Sequence, residues 1–137
     1  MRIVGVDYGD TRTGLAVSDP TARLAGPAGT VTASDPELAA QRIAQRVREL
    51  DGGLIVLGLP RHMNGDEGER AAKARSLGER LRQLTGLEVV LFDERCTTVL
   101  SHAYFNEANI RGKKRKAAVD TQSACIILQN YLDSVNR

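Results

Sequence analysis

The chain has 137 residues, 42% of them hydrophobic and 26% charged, and a formal net charge of +2. That length suits one domain over 1–137 with a core of its own, and no apolar run nears the ~20 residues that a membrane-spanning helix needs. The N-terminus lacks the basic, apolar and small-residue order of a secretory signal, so a cytoplasmic protein is expected, with Cys96 and Cys125 as reduced thiols.

Ile3 to Asp7 reads as a buried strand, Gly9 to Thr13 as a turn and Gly14 to Ser18 as a second strand, together a hairpin. A third short strand is expected within Ala28 to Val31. Ser34-Asp35-Pro36-Glu37 starts a helix: Ser34 and Glu37 have capping-box spacing, and Pro36 suits the first turn. Ala39, Ile43, Val47 and Leu50 follow at helical spacing, and Gly52-Gly53 should end that helix. Leu54 to Leu57 reads as a strand buried on both faces.

A polar loop from Gly58 to Gly68 leads to a helix with Ala74, Leu77, Leu81 and Leu84 on one stripe, closed at Thr85-Gly86. Val89 to Phe92 is a further buried strand. A helix from about Thr98 to Glu107 and a last helix from near Val119 to Ser134 complete the chain. Hairpins followed by strand–helix alternation give an α/β sheet of mixed direction with right-handed crossovers.

Charge is unevenly placed. Arg111-Gly112-Lys113-Lys114-Arg115-Lys116 holds five basic residues and no acid, leaving 14 basic against 17 acidic residues elsewhere. This reads as an acidic body with one basic loop, suited to the phosphates of a polyanion.

Three acidic positions fall where α/β sheets gather ligands. Asp7 ends the first strand, Asp93-Glu94 follow the last strand, and Asp120 heads the final helix on the stripe of Ala124, Ile127, Leu128 and Tyr131. Each has a structural alternative: an Asx turn for Asp7, pairing or capping for Asp93 and Glu94, an N-cap for Asp120. Converging carboxylates repel unless a hard cation joins them. Two Mg²⁺ or Mn²⁺ ions held this way would serve in-line phosphoryl displacement, and with the basic loop the layout is that of a nuclease. His62 and His102 have no partner at ligand spacing and are read as surface or loop residues.

Six segments occur in order: Val4 to Gly9, Thr13 to Asp19, Gly58-Leu59-Pro60, Asn64-Gly65 with Glu67-Gly68, Asp93-Glu94-Arg95 with Thr97-Thr98, and Val119-Asp120 with Ile127 to Leu132. Together they resemble the YqgF family of bacterial RNase H-like nucleases, over essentially the whole chain. Members are described as Holliday junction resolvases and as nucleases maturing the 5′ end of pre-16S rRNA.

The resemblance implies an RNase H-like fold with a five-stranded mixed sheet. It implies metal ligation and catalysis by Asp7, Glu94 and Asp120. The choice between Asp93 and Glu94 stays open, with Glu94 preferred. Arg12 and Arg95 would contact phosphate, with Arg111, Lys113, Lys114, Arg115 and Lys116 in the nucleic-acid surface. Two departures from the pattern, Thr11 in the first turn and Ser123-Ala124 after Asp120, remove no ligand.

The expected substrate is structured RNA or branched DNA, acted on by a monomer or homodimer. A non-catalytic RNA-binding assembly factor is the alternative. Asp7-Tyr8-Gly9 with Thr11, Thr13 and Gly14 also resembles the phosphate hairpin of actin-like and sugar-kinase folds, although those close two such lobes over ATP.

Overall fold

The computed structural model describes residues 1–60, 68–93 and 112–136, with the backbone alone over 112–120. In chain order the elements are β1 (Arg2–Asp7), β2 (Arg12–Ser18), β3 (Ala25–Thr32), α1 (Pro36–Glu49), β4 (Gly52–Leu59), α2 (Glu69–Thr85), β5 (Val89–Asp93) and α3 (Gly112–Val135). They form one five-stranded sheet in the order β3-β2-β1-β4-β5. The two hairpin contacts are antiparallel, whereas β1, β4 and β5 run parallel. The carboxyl ends of those three strands therefore share one edge of the sheet, together with the start of β2.

Alternation of side chains sorts each strand between two faces. Val4, Val6, Leu15, Ile55, Leu57 and Leu59 pack beneath Ile43 and Val47 of α1 and Leu77 and Leu81 of α2. Ile3, Ala16, Leu54 and Val56 pack on the other face against Ala124, Ile127, Leu128 and Leu132 of α3. Each fully buried Leu or Ile contributes about 1.5–3 kcal/mol, so both helix layers are anchored by burial more than by helix propensity.

Local chemistry explains the boundaries, with some shifts from expectation. The N-cap of α1 is Asp35, whose carboxylate accepts from the Leu38 amide at 2.9 Å. Ser34 does not cap it. Glu37 is drawn away from a capping box by Arg80 of α2 and by Gln41. The chain leaves α1 through Leu50 and Asp51, the latter at φ 56°, a conformation Asp tolerates better than most residues. Gly52 and Gly53, expected to stop the helix, open β4 instead.

β3 runs Ala25–Thr32, longer than the four residues expected, and is an outer strand of the sheet. Arg42 and Arg46 of α1 donate to the Thr32 and Ala28 carbonyls, which blunts that edge against further pairing. β5, expected to be buried on both faces, is half-buried throughout because it pairs with β4 alone among the described strands.

Among the described residues no helix is long and apolar enough to cross a membrane. The helix expected over Thr98 to Glu107 lies outside the described residues.

Candidate active site

Asp7 is the last residue of β1, half-buried, and pairs in register with Gly14. It has the parity of Ile3 and Gly5, so it belongs to the α3 face. Gly5 fixes the approach of that helix. A Cβ there would lie 2.8 Å from Leu128 Cβ and 3.1 Å from the Ala124 carbonyl oxygen, so only glycine lets α3 seat this close. The turn after Asp7 is equally tight, since a Cβ on Gly9 would meet the Arg12 carbonyl at 2.2 Å.

The direction of α3 follows from its contacts with the β3 side. Thr121 lies opposite Thr30 at 3.4 Å, the Gln129 carboxamide accepts from the Ala25 amide, and the Asn136 amide group donates to the Ala22 carbonyl. The helix is therefore antiparallel to β1 and β3, with its N-terminal half over the carboxyl edge of the sheet. Position 120 is four residues, about 6 Å, before Ala124. Asp7 is two residues, about 6.7 Å, beyond Gly5. The two acidic positions thus reach the same height on the same face.

Arg12, the exposed first residue of β2, has the parity of Gly14 and Ala16 and shares that face and edge with Asp7.

Asp93 does not. In β5, Val90 and Phe92 pack with the α3 layer, Phe92 meeting Tyr131 edge-on at 6.0 Å, whereas Val89 and Leu91 pack with the α1–α2 layer. Asp93 follows Leu91 in parity and falls on the side away from Asp7. Glu94, Arg95 and Arg111 lie outside the described residues, as do His62, Cys96 and His102.

The basic segment differs from expectation. Lys113, Lys114, Arg115 and Lys116 are not in a loop: α3 begins at Gly112, not near Val119, and these residues occupy its first turns. Lys, Arg and Ala all favour helix, and nothing from Lys113 to Val119 interrupts it. Four cations at the positive end of a helix dipole carry an electrostatic cost that a bound anion would relieve.

Cys125, on α3, is a free thiol pushed up to about 11 by burial, which keeps it protonated and unreactive. A groove on the opposite face, between α1 and α2 and reached by Tyr8 and Asp10, was not legible in the sequence. Its lining comes from three stretches far apart along the chain, 8–10, 34–40 and 69–80, and no single one of them outlines a cavity.

A family model described as RuvX: Holliday junction resolvase matches residues 1–134. The chain belongs to the RuvX family. Curated relatives carry the name "Putative pre-16S rRNA nuclease". One, from Lactococcus lactis subsp. cremoris, is 42% identical over 97% of this chain and 94% of its own length. Another, from Pelotomaculum thermopropionicum, is 40% identical over 100% of this chain and 90% of its own.

Among solved structures, Thermus thermophilus RuvC in complex with a Holliday junction substrate superposes with a TM-score of 0.67. It is 14% identical, covering 99% of this chain and 95% of that one. The Fowlpox virus resolvase bound to Holliday junction DNA gives 0.63 at 11% identity, covering 100% of both chains. These likenesses establish the RNase H-like fold that the motifs of this RuvX-family chain imply. The YqgF resemblance read from the sequence and the RuvX match describe one family.

Proposed function

We propose that this RuvX-family chain is a metal-dependent endonuclease acting in 5′-end maturation of pre-16S rRNA. Family membership supports the coarser statement, hydrolysis of phosphodiester bonds. The observation that carries the reading is the placement of Asp7 and position 120 at one height on the α3 face, at the carboxyl edge of the sheet.

Asp7, Glu94 and Asp120 would hold two Mg²⁺ or Mn²⁺ ions. Among the described residues no three His, Cys, Asp or Glu side chains form a metal-sized group, and Glu94 and the Asp120 side chain lie outside them. Asp93 is disfavoured as the ligand by its parity, and the next position, Glu94, is assigned the role. The donor set is all oxygen, as hard divalent cations require. When bound, the ions would supply an activated water and screen the phosphate charge.

The chain's own residues do the rest. Arg12, on the same edge as Asp7, binds a substrate phosphate and orients it for in-line attack. Arg95 would be a second phosphate contact. Lys113, Lys114, Arg115 and Lys116, with Arg111 just ahead of them, would draw the polyanion over the start of α3, two turns from Asp120.

The names of the curated relatives support RNA as the substrate. A second reading, resolution of branched DNA, is favoured by the description of the family model, and would require two copies with their sites facing two strands. A binding factor without turnover is the remaining alternative. The experiment is cleavage of precursor 16S rRNA and of a four-way junction by wild type and Asp7→Asn, with Mg²⁺ or Mn²⁺. RNA cleavage by wild type alone is the outcome expected. Equal cleavage by the variant would sink the proposal.

A further inference from the structure

A groove of about 750 Å³ opens between α1 and α2 on the face away from α3. Its base is Tyr8, whose ring packs on the buried core and also lines the cavity. Pro36 and Ala40 of α1 and Ala72 and Leu77 of α2 form its apolar walls. Small residues on both helices keep it open, and the volume exceeds that of a nucleoside.

The charges in the groove define what fits. Its lining carries three carboxylates, Asp10, Glu37 and Glu69, against two cations, Lys73 and Arg80. Both cations are engaged already. Arg80 holds Glu37 through three bonds, at 2.8, 2.9 and 3.2 Å, and Lys73 lies 3.4 Å from Asp10 and 3.6 Å from Glu69. Among the described residues a phosphate would meet three carboxylates and two cations that are already paired.

A neutral, flat group bearing N–H and O–H donors suits it better. One face would stack on Tyr8, and its donors would reach the remaining carboxylate lone pairs and the Ser34 and Ser76 hydroxyls.

We propose that this groove binds the nucleoside part, base and sugar, of a nucleotide flanking the phosphate positioned at Asp7. Asp7 and Tyr8 are consecutive residues whose Cα atoms are about 3.8 Å apart, yet they serve opposite faces of the sheet. A single strand crossing the carboxyl edge thus meets the acidic site on one side and the aromatic groove on the other. Sequence-tolerant stacking of this kind is how single strands are held without base reading. The inference rests on the nuclease reading for the direction of the strand, but not for the binding itself.

The test titrates adenosine into the ¹⁵N-labelled full chain in metal-free buffer, followed by the affinity of a short oligoadenylate. Amide shifts at Tyr8, Lys73, Ser76 and Leu77 are expected, and they persist in Asp7→Asn. Tyr8→Ala removes them and weakens the oligonucleotide about tenfold or more.

Ser76→Arg, at an exposed helix position, should fill the groove and give the same loss without touching the core. Groove shifts in a wild-type protein that cleaves nothing would refute the nuclease reading while upholding this one. Absence of groove shifts, shifts unaffected by both variants, or shifts produced by raising protein concentration alone overturn it, the last because a second copy then fills the groove.

Discussion

Gly5 of β1 lies so close to Leu128 of α3 that a Cβ on the glycine would sit 2.8 Å from Leu128 Cβ. This contact sets the distance between the helix that carries Asp120 and the strand that carries Asp7. Gly5→Ala must push against Leu128 and against the Ala124 backbone, which cannot rotate away. Overpacking of this kind costs about 1–3 kcal/mol. We expect a lower urea midpoint and a larger fractional loss of cleavage than of folded protein at the assay temperature. A variant as stable as wild type would show that α3 moves freely on β1.

The parity of β5 puts Asp93 on the face away from Asp7, and the proposed ligand is its neighbour Glu94. Asp7→Asn and Glu94→Gln should each lower metal-dependent cleavage by roughly a hundredfold or more, because even the groups supporting a metal ligand are worth 10–100-fold. Asp93→Asn should stay within a few-fold of wild type. Metal affinity followed by calorimetry should divide the three variants in the same way. Loss of activity in Asp93→Asn with full activity in Glu94→Gln would reverse the assignment.

Neutralising Lys113, Lys114, Arg115 and Lys116 together should weaken RNA binding across all sequences. With ~0.7 counterions released per phosphate on a single strand, the slope of log K against log salt should fall in magnitude by roughly 3. Affinity measured between low and moderate salt tests this. An unchanged slope would place the polyanion elsewhere.

Asp19, after β2, collects the amides of Leu24, Arg23 and Thr21 and the Thr21 hydroxyl. The Leu24 amide bond, then the Thr21 hydroxyl, holds the Asp19 carboxyl well below its ordinary value of 3.8. A depressed carboxyl contributes stability above the ordinary value, and that contribution fades as pH falls from there toward the folded-state value. The stability gap between wild type and Asp19→Asn should therefore be wider at pH 7 than at pH 3. Urea unfolding at both pH values measures it, and a gap that widens in acid contradicts the loop geometry.

The amino-acid sequence by itself determined the order of the described elements, the two buried stripes of α1 and α2, and the core face of α3. These rest on periodicity, which survives in any packing that buries the apolar side. It also marked Asp7, because a carboxylate ending an apolar strand has few cheap explanations.

Only the tertiary structure decided that Asp93 turns away from Asp7, since strand parity is fixed by register with β4 and one residue flips the face. It likewise moved the α1 cap to Asp35, where Arg80 of a distant helix claims Glu37 and leaves no capping box. It carried α3 back to Gly112, turning a basic loop into the start of a helix. The α1–α2 groove belongs to the same class. Tyr8, Glu37, Lys73 and Arg80 are far apart along the chain, and long-range packing alone brings them to one cavity.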